Sequence, residues 1–417
     1  MRIHHHVDGS ISIDQHRFVL NLLTRFCYTN SPYGIPKLRD TPAPLDYVYS
    51  KDNRPATQQD QQDIDAKYPG LDFRSCLCTI LYMAYSTRAD ILFIVCKLAK
   101  ACTNPGLRDL DALFWLLGYL RKYPSYGVRF YKNANDSPVH KLVNAHNITT
   151  TEITAFSDAS WQDCPDTGRS TVGHLIFYQG GVIAANSHVP IPVAMSSAEA
   201  EYMAACHAAM TAAVIRSMLY DIRYLGTKHY QHYESTIKFP PIILCVDNAA
   251  AVAMSTSPKL TKKTRHIQRH FHFVREGHNR GLHRLLWIPN TAQLADVLTK
   301  TQMDSKTRPA VELFMYQLPP FLVSATAPST EPPTPPTVKP SRTQEGVLEL
   351  ESESDSHDSR TINQDSVDVR QDCRGPPADP GMPKSKASGK QIRARDHPFT
   401  VRRSSNCTSS PVHLSSH

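Results

Sequence analysis

With 417 residues and 41% hydrophobic composition, the chain has room for two or three domains and at least one real core. Its net charge of +8 lies wholly before Ala325, because residues 325–417 carry 12 Lys/Arg against 12 Asp/Glu; a basic folded part points to a polyanionic partner. Ten cysteines without a C-x-x-C pair exclude a zinc ribbon or disulfide framework and indicate a reducing compartment. No signal peptide and no apolar run of membrane-spanning length is found, so an intracellular protein, cytoplasmic or nuclear, with no membrane partner is expected.

Met1 to Ile13 places Asp8-Gly9 between β-prone pieces, which predicts a small hairpin. The run His4-His5-His6 has no further ligand at fixed spacing and reads as solvated. Phe18, Leu22, Leu23 and Phe26 recur with helical period, and residues 50–67, rich in Gln and Asp, read as an exposed linker. From Tyr68 to Lys132 the chain turns helical, with helices expected over Phe73–Ala84, Ala89–Cys102 and Arg108–Tyr123, the last two separated by Asn104-Pro105-Gly106. This block offers no nucleophile with a base and no carboxylate cluster, and reads as a packing module.

After a polar gap, Glu152–Ser157, Arg169–Gln179 and Val182–Ser187 read as three strands, the first ending on Asp158. A long helix is expected from Ser196 to about Leu225, closed by Gly226. Ile242–Val246 suits a buried strand ending on Asp247, and Asn248–Ser255 a small helix. Residues 262–278 predict a strongly basic helix, Leu282–Ile288 a strand and Thr291–Lys300 a last helix carrying Asp296. Strands, helix, strand, helices, strand and helix in this order make a mixed α/β layer fold. Beyond about Ser324, Pro, Ser, Thr and charge dominate, with Phe399 the only aromatic, and the tail is expected to be disordered.

The start of the long helix carries two glutamates with different expectations. Ser196 and Glu199 form an S-x-x-E capping box. Glu201 lies about 200° from Glu199 on the helical wheel and heads the stripe Ala205, Ala208, Ala212, Ile215, Leu219 and Ile222. A carboxylate at the head of a buried stripe is costly unless paired or metal-bound; the alternative is a frayed first turn that leaves Glu201 in water. Asp158, Glu201, Asp247 and Asp296 follow one another at intervals of 43, 46 and 49 residues, the first three each at the end of an element.

The segments Thr154–Tyr202, Cys245-Val246-Asp247-Asn248, Thr264-Arg265-His266-Ile267 and Trp287–Lys300 resemble the ribonuclease H domain of copia-type LTR retrotransposon polyproteins in motif order and spacing. Phe73 to Lys132 resembles the connection region of those polyproteins, with landmarks Thr87-Arg88-Ala89-Asp90-Ile91 and Gly118-Tyr119-Leu120-Arg121, and Met1 to Phe26 resembles the end of the polymerase thumb. The resemblance implies a thumb remnant and linker over 1–67, a helical connection region over 68–150, a ribonuclease H-like five-stranded mixed sheet flanked by helices over 151–302, and a linker and disordered tail over 303–417.

The activity implied is hydrolysis of the RNA strand of RNA–DNA hybrids with two Mg²⁺ ions, Mn²⁺ being a possible substitute. Asp158 would bridge the ions, with Glu201 and Asp247 completing one site and Asp296 the other. Lys262, Lys263, Arg265, Arg269 and Arg275, beside a stripe of Ile267, Phe271 and Val274, are expected to grip the phosphates. An upstream polymerase would be a partner in an intact element. The chain contains no Asp-Asp pair, so DNA synthesis is not expected of it, and Ala185 and His188 replace the family's usual Trp and Lys. The alternative reading is a catalytically inactive remnant that only binds nucleic acid.

Overall fold

The Asp8-Gly9 turn folds β1 (Arg2–His5) back on β2 (Ile11–Asp14) as an antiparallel hairpin, with Gly9 at φ +77° where an L side chain would be strained. In the computed structural model of the chain, residues 1–28, 32–147, 152–226, 240–257 and 269–317 are described. Two of the hairpin's histidines are hydrogen-bonded to it, His4 Nε2 lying 3.1 Å from Asp14 Oδ2 and His6 Nε2 2.8 Å from Ser12 Oγ, while His5 is exposed.

Helices then follow in close succession. α1 (His16–Leu23) leads to α2 (Gln58–Lys67), a stretch expected to be a linker. Almost nothing of α2 is buried except Ile64; it is helical because Thr57 and Asp60 cap each other reciprocally and Gln59–Asp63 and Gln61–Asp65 hydrogen-bond along its face. α3 (Phe73–Ser86), α4 (Leu92–Ala99) and α5 (Leu107–Lys122) form the helical block read from the sequence. The second helix is shorter than expected, because Ala89–Ile91 is a 3₁₀ turn.

The landmark Arg88-Ala89-Asp90 has a structural purpose. The Arg88 guanidinium, fully buried, donates to both oxygens of Asp90 at 2.9 and 3.0 Å and to the Tyr123 carbonyl at 3.0 Å, and Tyr119 donates its hydroxyl to Asp90 at 2.9 Å. The ion pair fixes the turn between α3 and α4 and docks it on the end of α5. Gly118 lets α5 approach the incoming chain: a Cβ there would sit 2.0 Å from the Lys37 carbonyl oxygen.

β3 (Tyr126–Phe130) pairs with β2, and α6 (Pro138–Ala145) follows, started by the Ser137 cap and Pro138. Next come β4 (Ile153–Ser160), β5 (Thr171–Tyr178) and β6 (Gly181–His188), an antiparallel meander. α7 (Ser197–Tyr224) ends before Gly226 at φ +79°. β7 (Ile242–Val246), α8 (Ala249–Thr256), α9 (Phe273–Asn279) and β8 (His283–Trp287) complete a sheet ordered β6-β5-β4-β7-β8, in which β4, β7 and β8 run parallel. This is the five-stranded mixed sheet flanked by helices that the sequence leads one to expect.

Alternation along the strands gives this sheet two cores. Ala155, Ile176, Leu244 and Val246 face α7, whose Ala200, Ala205, Ala208, Ala209 and Ala212 allow close approach. Phe156, Leu175, Phe177, Ile243 and Cys245 face the other way, into a core continuous with the helical block. The stripe below Glu201 is buried through Ala212, partly buried at Ile215 and Leu219, and exposed by Ile222.

Two further expectations are corrected. Thr291–Lys300 is not an α-helix but two 3₁₀ turns, Asn290–Ala292 and Leu294–Leu298. Residues expected to be linker form α10 (Asp304–Phe314) and β9 (Tyr316–Gln317), and β9 pairs with β3 to complete a four-stranded sheet. The expected disorder of the tail falls outside the described residues. Among the described residues no helix is long and apolar enough to cross a membrane.

Removing one partner of the buried Arg88–Asp90 pair leaves the other charge without compensation. Asp90→Asn is expected to destabilise the chain by about 3–5 kcal/mol, read from the urea-unfolding midpoint at pH 7, whereas replacing both residues with apolar ones should recover most of the loss.

Candidate active site

Parallel pairing of β4 and β7 carries the first two carboxylates to one edge of the sheet. Phe156 stands opposite Cys245, so two residues on Asp158 and Asp247 project side by side, on the face of Phe156 and Cys245. Asp296 reaches the same place from the Leu294–Leu298 turn, which is pinned to the sheet at three points. Gln293 Nε2 donates to the Ser157 carbonyl at 2.9 Å, Ser187 Oγ donates to the Leu298 carbonyl at 2.7 Å, and Thr299 Oγ1 donates to Asp158 Oδ2. Gly173, paired with Asp158 on β5, makes room for that turn, since a Cβ there would lie 2.7 Å from Leu298 Cβ. Asp158, Asp247 and Asp296 each offer an oxygen within 4.8 Å of the others.

Glu201 comes from α7, on the opposite face, and lies outside that three-carboxylate group. Its Oε1 accepts the Ala159 amide at 3.3 Å, while Oε2 is buried with no hydrogen-bond partner among the described residues. The frayed-turn alternative is therefore not what the structure shows: Glu201 is 6% exposed. Glu199 has a local task instead. Its amide is capped by Ser196 Oγ at 3.2 Å, and its Oε2 accepts the Met195 amide at 2.8 Å.

Desolvation and crowding act on these acids unequally. Burial, then the charges of Asp158 and Asp247, push Glu201 up to about 10. Burial raises Asp158 to about 6, opposed by Lys300 and the Thr299 hydroxyl, and burial followed by Asp296 raises Asp247. For Asp296 burial also acts upward, but hydrogen bonds from Lys300 and Lys306 outweigh it and hold the carboxyl below its usual range.

Those two lysines were not singled out from the sequence. Lys300 Nζ lies 2.7 Å from Asp296 Oδ1 and 3.6 Å from Asp158 Oδ2, and Lys306 Nζ lies 2.6 Å from Asp296 Oδ2. The i,i+4 spacing of Asp296 and Lys300 was a local signal for one of them; Lys306 belongs to α10, beyond the expected domain boundary. Trp287 was also missed as a contributor: its indole donates to the Asp247 carbonyl at 3.0 Å. A cleft of about 110 Å³ beside the carboxylates is lined by Tyr47, Tyr49, Lys97, Lys100, Asp163, Thr299 and Lys300 among others. Lys97 is engaged there by Asp163 at 2.6 Å, while burial and the neighbouring Lys97 lower the pKa of Lys100. A larger cleft of about 610 Å³, lined by Tyr33, Arg39, Tyr68, Phe114 and Trp115 among others, lies on the helical block and contains none of the four acids.

The expected phosphate-gripping residues are placed only in part. Lys262, Lys263 and Arg265 lie outside the described residues, as does the side chain of Arg269. Arg275 departs from the solvent-facing base expected of it: it is buried, and its Nε and Nη2 donate to the Met254 carbonyl at 3.2 and 3.0 Å. His188, at a position where a lysine is usual in the resembling family, packs its ring edge-on against His207 of α7 at 4.6 Å.

The donor set fits a hard divalent cation. It consists of carboxylate oxygens only, and one of them is buried with its lone pairs unused.

No family model matches the chain. Over 295 residues it is 28% identical to the "Retrovirus-related Pol polyprotein from transposon RE1" of Arabidopsis thaliana, covering 70% of this chain and 17% of that protein. Over 301 residues it is 26% identical to the corresponding polyprotein from transposon TNT 1-94 of Nicotiana tabacum, covering 72% and 20%. The chain thus spans about a fifth or less of the length of the curated relatives it matches. Among solved structures, ribonuclease H1 of Halobacterium salinarum NRC-1 aligns over 35% of this chain and 93% of its own, at 18% identity and a TM-score of 0.24.

The raised Glu201 carboxyl has a sign that can be tested. Between its ordinary value and about 10 the folded state holds a proton that the unfolded chain has lost, so this group lowers stability progressively as pH rises through that window. With divalent ions chelated, Glu201→Gln is expected to raise the melting temperature at pH 8 by at least about 2–4 °C, and to change it little at pH 4. Thermal unfolding followed by circular dichroism at the two pH values checks this.

Proposed function

Taking the chain as a homologue of copia-type transposon Pol polyproteins, we propose that residues 151–302 act as the ribonuclease H part and hydrolyse the RNA strand of RNA–DNA hybrids. The observation that carries this reading is the convergence of Asp158, Asp247 and Asp296 within 4.8 Å, with the buried, unpartnered Glu201 Oε2 at the same sheet edge.

Mg²⁺ held by Asp158, Glu201, Asp247 and Asp296 would supply activation of water and neutralisation of the leaving alkoxide, the two things a phosphodiester anion resists. The protein's own part is positional. Thr299 orients Asp158, the pinned turn holds Asp296, and the Trp287 indole fixes the backbone of Asp247. Lys100 and Lys300 line the adjoining cleft and offer positive charge to a phosphate backbone passing over the acids, whereas Lys97 is committed to Asp163. Lys262, Lys263, Arg265 and Arg269 extend this grip in our reading; Arg275 does not, being committed to Met254. The 2′-hydroxyl is the feature by which RNA would be distinguished from DNA. DNA synthesis is not part of the proposal, since the chain has no Asp-Asp pair, and in an intact element a polymerase upstream would help to hold the hybrid.

A rival reading, a remnant that binds nucleic acid without cutting it, draws on His188 in place of lysine and on the lysines capping Asp296. The whole chain incubated with end-labelled hybrid and Mg²⁺ separates the two. The expected result is endonucleolytic products from the RNA strand, lowered about a hundredfold or more by Asp247→Asn and absent with duplex DNA. Glu199→Gln, at the helix cap, should leave the rate largely unchanged. Hybrid binding with no cleavage by the wild-type chain would establish the rival.

A further inference from the structure

Each oxygen of Asp296 already faces an ammonium group. Lys300 Nζ forms an ion pair with Oδ1 at 2.7 Å, Lys306 Nζ donates to Oδ2 at 2.6 Å, and Lys300 also lies 3.6 Å from Asp158 Oδ2. An ammonium thus stands between the two carboxylates that an ion on the Asp296 side would have to share.

We propose that Lys300 is the resident cation of this site, and that a divalent ion enters on the Asp296 side only by displacing its ammonium from Asp158 and Asp296. The inference rests on the metal site proposed above. Four features support it. The backbone that carries Lys300 is held, since the Leu298 carbonyl accepts from Ser187 and Thr299 donates to Asp158, so the lysine is delivered to one place. Its side chain is 37% exposed and that of Lys306 46% exposed, so each can swing into water without passing through the core. The acids themselves are nearly inaccessible, Asp158 at 2% and Asp296 at 1%, so uncompensated charge there is costly and a cation of some kind is required. Finally, among the described residues no ion pair joins a lysine to Glu201, and its buried Oε2 has no hydrogen-bond partner, so no such cation stands on that side of the site.

A tethered competitor acts at a fixed high effective concentration. It therefore weakens the apparent affinity of the ion by a constant factor, whatever the protein concentration. Charge-assisted bonds of this geometry are among the stronger ones, and the factor should be substantial.

The test is calorimetric titration of the whole chain with Mn²⁺, in wild type, Lys300→Met and Asp158→Asn, without nucleic acid. In Lys300→Met the weaker Mn²⁺ step, or the only step if one ion binds, is expected to tighten by about tenfold or more, because a neutral side chain of similar length no longer competes. Asp158→Asn should abolish binding. Affinity in Lys300→Met equal to or below wild type overturns the proposal. Absence of Mn²⁺ binding in both proteins overturns the metal site itself, and with it this inference. If Lys300→Met folds only when Mn²⁺ is present, seen by circular dichroism, the ammonium is shown to be the cation that the ion replaces. If it folds under neither condition, Lys300→Gln and Lys306→Met decide: a tighter step in the folded variant supports competition, and an unchanged one overturns it.

Discussion

Carboxylates brought together where water is scarce need cations, and this requirement shapes the whole edge of the sheet. Asp158 and Asp296 are almost fully buried and Asp247 is half-buried, within one oxygen's reach of one another. Desolvation and mutual repulsion both favour the protonated forms. The fold meets this with two lysines at Asp296, and so divides the acids: Asp296 is held ionised while Glu201, which has no ion pair with a lysine among the described residues, is driven furthest toward neutrality. The site is electrostatically asymmetric before any ion or substrate arrives.

The surrounding structure exists to hold these groups in place against that repulsion. Parallel strands set Asp158 and Asp247 side by side, and an alanine-lined helix lies close enough to the sheet for Glu201 to reach the Ala159 amide. A short turn that would otherwise be free is fastened through Gln293, Ser187 and Thr299. On the far face, the core of the helical block runs into the sheet through Phe156, Leu175 and Phe177, so the sheet that carries the acids is covered on both sides.

Much of this was legible because local chemistry announces it. Each strand that leads to an acid alternates or is uniformly apolar, and Ser196 with Glu199 marks the start of the helix that carries Glu201, so three of the acids could be assigned to one edge, while Asp296 joined them only through the family resemblance. What could not be read depends on partners distant in the chain. Arg275 lies in a basic stretch that suggests a solvated face, yet its guanidinium is satisfied by the Met254 carbonyl inside the fold. Lys306 follows an apparent domain end, and only the tertiary return of α10 brings it to Asp296. The Leu294–Leu298 turn has helical composition, but its flanking side chains are bound to the sheet and hold it in a tighter coil. α2 was misread for the opposite reason: it has hardly any apolar stripe, and its capping box was its one signal.

The small four-stranded sheet has a consequence for the order in which the chain can fold. Ile13 pairs with Val128, and Gly127 pairs with Tyr316, so its middle strand recruits one neighbour from the beginning of the chain and another from beyond α10. Such contacts reward folding only after long loops have closed, which makes them late and slow relative to the helix pairs of the block. During synthesis on the ribosome the β3 edge therefore stays unpaired until residue 317 has emerged, after every strand of the five-stranded sheet. The same return of the chain brings Lys306 to Asp296, so the last strand to dock and the final neutralisation of the acidic edge belong to one step.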